Sequence, residues 1–114
     1  AGNDLLTGTS GADGFLAQDG NDRAKGLGGN DAACMGGGKD TASGGGGKDI
    51  GLGEAGKDRL SGGGGRDKLN GGGGKDRLKG QGGKDRLRGG GGKDRCNGGG
   101  GKDKAACETE RKVP

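Results

Sequence analysis

Apolar side chains return at every ninth position of this chain, most of them between two polar or charged residues. Triplets such as Lys68-Leu69-Asn70 place one apolar residue between two polar ones, which is the alternation of a very short strand with one buried face. The predicted inward row is Leu6, Phe15, Ala24, Ala33, Ala42, Gly51, Leu60, Leu69, Leu78, Leu87, Cys96 and Ala105. Six residues rich in Gly and Asp separate successive triplets, and this composition favours turns.

A chain that alternates turn and strand at a fixed short period predicts one structural unit stacked on itself. Two nine-residue units make one flattened coil, and successive coils stack through parallel strands. We therefore expect an all-β fold, a parallel β-roll (a two-sided β-solenoid) of about six coils. The register holds over residues 1–106 and predicts the roll there, with residues 107–114 as a C-terminal capping tail.

Aspartate occupies the sixth position of every unit, and glycine stands two residues before it. The aspartates are Asp4, Asp13, Asp22, Asp31, Asp40, Asp49, Asp58, Asp67, Asp76, Asp85, Asp94 and Asp103. Aspartates eighteen residues apart lie on one edge of the roll, about 4.8 Å apart, which is the spacing of neighbouring strands. Bare carboxylates at that separation repel each other, so the two rows predict bound cations.

Calcium is the cation that fits this arrangement. Ca²⁺ accepts six to eight oxygens in a flexible geometry, whereas Mg²⁺ requires a tight octahedron and keeps its waters. Zinc is disfavoured because the chain has no His and its cysteines lack metal-binding spacing. Each row of six aspartates has five gaps, so we expect several ions, up to about ten. The alternative is that these aspartates only solubilise the turns.

The composition excludes an ordinary globular core. Hydrophobic residues make up 23% of the chain, 37 residues are glycine, and Phe15 is the single aromatic residue. A flexible linker would have a similar composition but would have no reason to keep strict phase. Residues 24–51 supply almost no inward apolar volume, so we predict that folding is coupled to calcium binding.

Written from its first glycine, the unit is G-G-x-G-x-D-x-U-x with U apolar, as in residues 62–70 and 71–79. This pattern resembles the RTX (repeats-in-toxin) calcium-binding nonapeptide over residues 1–106. The resemblance implies a right-handed parallel β-roll with Ca²⁺ held between adjacent turns on the same side. It implies ligands from the aspartate side chains and from turn carbonyls near Gly11, Gly20, Gly29, Gly38, Gly47, Gly56, Gly65, Gly74, Gly83, Gly92 and Gly101.

The charge departs from that family, whose repeats are usually acidic. Lys and Arg outnumber Asp and Glu by 20 to 16, and basic residues flank most of the later aspartates. Arg59, Arg77 and Arg95 are expected to stack on one outer face, and Lys68, Arg86 and Lys104 on the other. These rows either solubilise the roll or bind an anionic surface polymer. Without interleaved aromatic residues, sequence-specific nucleic-acid binding is not expected.

Three cysteines in a chain this poor in core residues favour an oxidising setting, so we expect a secreted or cell-surface location. Cys96 is inward and Cys107 follows the last repeat. A disulfide between them would pin the tail across the end of the roll, and two buried thiols are the alternative. Cys34 is outward without an evident mate. The C-terminal segment also resembles calcium-binding repeat proteins of actinobacteria.

No catalytic group is evident, because no His is present and no nucleophile–base pair can be assembled, so we do not expect an enzyme. No apolar stretch approaches the length of a membrane span. The leading hypothesis is a calcium-stabilised structural or spacer module. An anion-binding module is the second hypothesis, and calcium-dependent end-to-end self-assembly is the third.

Overall fold

A computed structural model describes residues 5–9, 11 and 13–99 in full, together with the backbone of 104–106 and 109–111. Twelve of its three-residue strands fall on the triplets predicted from the inward row. A thirteenth strand follows them near the C-terminus. The strands are β1 (Leu5–Thr7), β2 (Gly14–Leu16), β3 (Arg23–Lys25), β4 (Ala32–Cys34), β5 (Thr41–Ser43), β6 (Ile50–Leu52), β7 (Arg59–Ser61), β8 (Lys68–Asn70), β9 (Arg77–Lys79), β10 (Arg86–Arg88), β11 (Arg95–Asn97), β12 (Lys104–Ala106) and β13 (Thr109–Arg111).

The strands form two parallel sheets. Odd-numbered strands build a seven-stranded sheet in the order β1-β3-β5-β7-β9-β11-β13, and even-numbered strands build a six-stranded sheet from β2 to β12. Paired residues lie eighteen positions apart, as Leu60 with Leu78 and Leu69 with Leu87. The described fold is thus an all-β parallel solenoid of about five turns, consistent with a β-roll, and the predicted fold class is confirmed.

Strand β13 departs from the nine-residue register. It pairs with β11 through Arg95 and Thr109, which lie fourteen rather than eighteen residues apart. The segment expected to be a capping tail therefore contributes one more edge strand to the seven-stranded sheet. Cys107 lies outside the described residues, so its disulfide with Cys96 stays a prediction.

The inward row is buried where the sequence supplies leucine and thin where it supplies alanine or glycine. Leu60, Leu69, Leu78 and Leu87 are at most 4% exposed. A cavity of about 20 Å³ lies among Ala24, Ala33, Ala42, Gly51 and their neighbours, roughly the volume that admits one water. The scarcity of core between residues 24 and 51 is thus a property of the folded chain.

Two positions in each turn between β2 and β11 have a left-handed backbone. In the turn before β8 they are Gly63 and Gly65, with φ of 87° and 97°. A side chain at Gly63 would also run into the carbonyl of Gly45 in the preceding coil. Four turns nonetheless carry another residue at the first of these positions: Gln18, Leu27, Glu54 and Gln81, with φ between 68° and 74°. These four turns therefore hold local strain that glycine would avoid.

Candidate metal centres

The sixth-position aspartates lie where each turn enters its strand, and their side chains are turned into the roll. Nine of them are at most 5% exposed: Asp22, Asp31, Asp40, Asp49, Asp58, Asp67, Asp76, Asp85 and Asp94. Asp13 is half-buried. Asp4 and Asp103 lie outside the described residues. Burial of so many carboxylates is unusual, since aspartate is seldom fully buried unless it is paired.

In the eight aspartates from Asp31 to Asp94, one carboxylate oxygen links neighbouring coils. The Asp49 backbone N–H donates to Asp67 Oδ1 at 2.8 Å, and the Asp67 N–H donates to Asp85 Oδ1 at 2.9 Å. The same bond recurs on the other edge, for example from the Asp58 N–H to Asp76 Oδ1 at 2.9 Å. The aspartate rows are therefore hydrogen-bonded ladders.

The second carboxylate oxygen is buried without a hydrogen-bond partner in most repeats. This holds for Oδ2 of Asp31, Asp40, Asp49, Asp58, Asp67, Asp76 and Asp94. The exposed Lys and Arg residues on either side donate no hydrogen bond to these atoms, so they do not neutralise the carboxylates by direct contact. A buried, unpartnered polar oxygen is costly, and a charged one more so. Each of these atoms therefore requires a bound ligand or a proton.

The glycine at the first position of the unit lies beside these oxygens, and together with the carbonyl of the next coil they form a small cradle. A methyl group placed on Gly26 would contact Asp31 Oδ2 and lie 2.7 Å from the carbonyl oxygen of Gly44, one coil further on. At Gly8 the corresponding distances are 2.5 Å to Asp13 Oδ2 and 2.8 Å to the Gly26 carbonyl oxygen. The carboxylate oxygen and the carbonyl oxygen of the next coil thus approach the same point beside the glycine, and both are ligand types that Ca²⁺ accepts.

Carbonyl oxygens must supply much of any coordination shell. Within the described residues, no group of three or more His, Cys, Asp or Glu side chains comes together. The turn carbonyls near the fourth-position glycines stay a prediction as ligands, and that of Gly47 lies against Gly65 of the next coil. The first-position carbonyls of Gly26 and Gly44, in the same kind of turn, are the ones that lie near an aspartate Oδ2. A shell rich in carbonyl oxygen with few carboxylates suits Ca²⁺ and does not suit Zn²⁺.

Burial raises the pKa values of the central aspartates. Burial raises the pKa of Asp58 and Asp67 to about 7, although hydrogen bonds from the backbone of the preceding coil lower it and neighbouring carboxylates raise it further. Burial likewise raises the pKa of Asp76 to about 6 and raises the pKa values of Asp40 and Asp49. Without metal, Asp58 and Asp67 are therefore partly protonated near neutral pH.

The cradles are not all equivalent. Ala17 and Met35 stand at the first position in the units of Asp22 and Asp40, and both side chains are buried in the apolar cluster. The Cβ atoms of Ala17 and Met35 occupy the place beside the aspartate that glycine leaves free in the other units. At Asp13, the Thr9 backbone N–H already donates to Oδ2 at 2.7 Å. The described cradles with both a glycine and an unpartnered Oδ2 are those of Asp31, Asp49 and Asp67 on one edge and of Asp58, Asp76 and Asp94 on the other.

A parallel β-solenoid with an unpartnered carboxylate oxygen and converging carbonyls at repeated turns has the architecture of a calcium-binding β-roll. Comparison with protein-family models matches the RTX calcium-binding nonapeptide repeat at residues 1–33, 36–60, 43–78, 52–87 and 70–105. The chain belongs to this family, which implies calcium binding. Comparisons with curated proteins and with solved structures found no match. Over the described residues, no helix is long and apolar enough to cross a bilayer.

Proposed function

We propose that the chain is an extracellular structural or spacer module whose folding depends on calcium held by the aspartate rows. The observation that carries this proposal is the set of seven buried Oδ2 atoms that have no hydrogen-bond partner. The proposed ligands are the aspartate side chains together with the carbonyls of the glycine-rich turns. The family is typically structural and calcium-binding rather than catalytic.

The thin core of the roll explains why its folding would need calcium. Each unpartnered buried polar atom disfavours folding by about 1–3 kcal/mol, and the row repeats that cost in successive coils. A buried leucine contributes about 1.5–3 kcal/mol, but inward leucines are concentrated between Leu60 and Leu87. Ion binding converts the costly oxygens into ligands, so its free energy becomes folding free energy.

Circular dichroism in EDTA and in millimolar Ca²⁺ tests this proposal directly. We expect the β-signal to develop as Ca²⁺ is added and to be much weaker when the same concentration of Mg²⁺ replaces it, because Mg²⁺ keeps its waters. Equal β-content in EDTA and in Ca²⁺ would refute the coupling. Bound calcium measured after dialysis gives the number of ions, for which the gaps set an upper limit of about ten.

A second candidate function is binding of an anionic polymer through the basic rows. Arg59, Arg77 and Arg95 are paired neighbours on one sheet, and all three are exposed. Like charges directly opposed across strands destabilise a sheet, so a bound anion would relieve their repulsion. Retention on a heparin column that disappears in EDTA would support this candidate. Failure to bind at low salt would exclude it.

Two further expectations accompany the proposal. RTX repeats are typically found in secreted proteins, and an oxidising location would allow the disulfide between Cys96 and Cys107. Mass spectrometry before and after reduction tests that bond. End-to-end stacking of rolls stays a third hypothesis, which light scattering with and without Ca²⁺ would test.

A further inference from the structure

Two grooves with basic walls run along the edges of the roll, outside the aspartate rows. One has a volume of about 550 Å³ and the other about 470 Å³. Each crosses three successive coils and is lined by residues on either side of the aspartates. The basic residues of the first groove are Lys48, Arg66, Lys68, Lys84 and Arg86. Those of the second are Lys39, Lys57, Arg59, Lys75 and Arg77.

The charge density and the residue types of these walls restrict the class of ligand that can bind. Each groove has five cations over three coils, and coils are about 4.8 Å apart, so a coil presents at most two positive charges within that distance. Apart from the aspartates, the walls add only Ile50 in one groove and Thr41 in the other. Phe15, the chain's only aromatic residue, packs against the core, so neither groove can stack a base or a sugar ring.

We propose that each groove binds a linear polyphosphate chain. Such a polymer consists only of oxyanions joined through single bridging oxygens, so it needs neither aromatic platforms nor amide donors. Arginine presents a fork of donors to phosphate oxygens, and lysine adds a point charge. Nucleic acid spaces its phosphates more widely, at about 3.4 Å per strand, and its bases would find no partner here.

Calcium in the aspartate rows would strengthen this site. The first groove carries five cations and three carboxylates, a net charge of +2 (5 − 3), when no metal is present. Its floor carboxylates are the proposed calcium ligands, so metal binding removes their repulsion of an incoming anion. This inference deepens the second candidate function above, and by thermodynamic linkage bound polyphosphate would also raise the affinity for calcium.

The test compares two triple variants of equal charge at buffered millimolar free Ca²⁺. The groove variant is Arg66→Gln with Lys84→Gln and Arg86→Gln. The matched control is Lys25→Gln with Lys79→Gln and Arg88→Gln, which removes exposed cations that line neither groove. Binding of a fluorescent short-chain polyphosphate is followed by anisotropy, with heparin and polyuridylate as competitors.

We expect two binding sites of similar affinity in the wild-type roll and in the control, and one unchanged and one weakened site in the groove variant. Affinity at the altered groove should fall on the order of tenfold, as expected when several exposed ion pairs are lost. Equal loss of polyphosphate affinity in both variants would show that binding depends only on overall charge, which would overturn the proposal. Heparin or polyuridylate competing as well as unlabelled polyphosphate would also overturn it. Circular dichroism of the same samples reports calcium-coupled folding separately, so failure there is distinguishable from failure of the groove.

Discussion

Two alanine substitutions in one turn distinguish the effect of filling the calcium cradle from the effect of replacing a glycine elsewhere in the turn. Gly62 and Gly64 lie two residues apart, and neither has a left-handed φ. An added Cβ at Gly64 would meet nothing within 4 Å, whereas at Gly62 it would contact Asp67 Oδ2 and lie 2.7 Å from both Cβ and Cγ of that aspartate. Gly62→Ala therefore fills the cradle, and Gly64→Ala is its matched control.

The expected difference follows from two contributions. Overpacking against the Asp67 side chain costs about 1–3 kcal/mol. Displacing its carboxylate also removes one ion, and an ion present at 100 times its dissociation constant contributes about 2.7 kcal/mol to stability. Gly62→Ala should thus lower the free energy of unfolding in calcium by about 4–6 kcal/mol. Gly64→Ala should change it little or raise it by about 0.4–1 kcal/mol, because alanine restricts the unfolded chain.

Urea unfolding at fixed free Ca²⁺, followed by circular dichroism, measures these free energies, and equilibrium dialysis counts the bound ions. Gly62→Ala should bind about one ion fewer than either wild type or the control. If it proves too unstable for urea titration, the free Ca²⁺ needed for folding should be higher than for Gly64→Ala. Equal stability and equal calcium content in the two variants would refute the assignment of the cradle.

Three other predictions concern strain, protonation and the closed cradles. Gln81→Gly should raise the free energy of unfolding by about 0.5–1 kcal/mol, because relief of the left-handed strain at φ 68° exceeds the added freedom of the unfolded chain; a lower urea midpoint at saturating Ca²⁺ would contradict this. In EDTA, the raised pKa values of Asp58 and Asp67, about 7 against 3.8, mean that the folded chain binds more protons than the unfolded chain. Folded content should therefore be greatest near pH 4 and decline as pH rises through 7, and circular dichroism showing the opposite trend would contradict the burial argument. Met35→Gly should open the cradle beside Asp40 and add about one bound ion by equilibrium dialysis, whereas an unchanged count would show that Met35 does not close that cradle.

Strand positions and sheet pairing could be predicted because each depends on a local, periodic property. One apolar residue between two outward neighbours fixes a three-residue strand, and an unbroken nine-residue period fixes which strands pair. Lys68–Asn70 and its neighbours illustrate this. Strand β13 was not predicted because Thr109–Arg111 pairs with β11 at an offset of fourteen residues, outside that period.

The detailed geometry of the site could not be predicted from spacing. The sequence indicates that Asp49 and Asp67 share an edge. Only the structure shows that the Asp49 backbone N–H donates a hydrogen bond to Asp67 Oδ1. The four glycines of a turn are identical in sequence and differ in role. Gly63 and Gly65 permit left-handed backbone, Gly62 leaves room beside Asp67 Oδ2, and a side chain added at Gly64 would meet nothing within 4 Å. These roles depend on how closely the next coil approaches.

Met35 shows how closely calcium binding and core packing are connected in this fold. It is completely buried among the small inward residues that follow Phe15, where leucine is absent. Its side chain replaces an open cradle with apolar volume, so that unit is stabilised by hydrophobic contact. From β7 to β10 each unit has both an inward leucine and a first-position glycine. Stability there should also depend on calcium, because burial raises the pKa values of Asp58, Asp67 and Asp76 and so disfavours their charged forms without metal. Removing metal is therefore expected to weaken the leucine-rich part of the roll despite its better core.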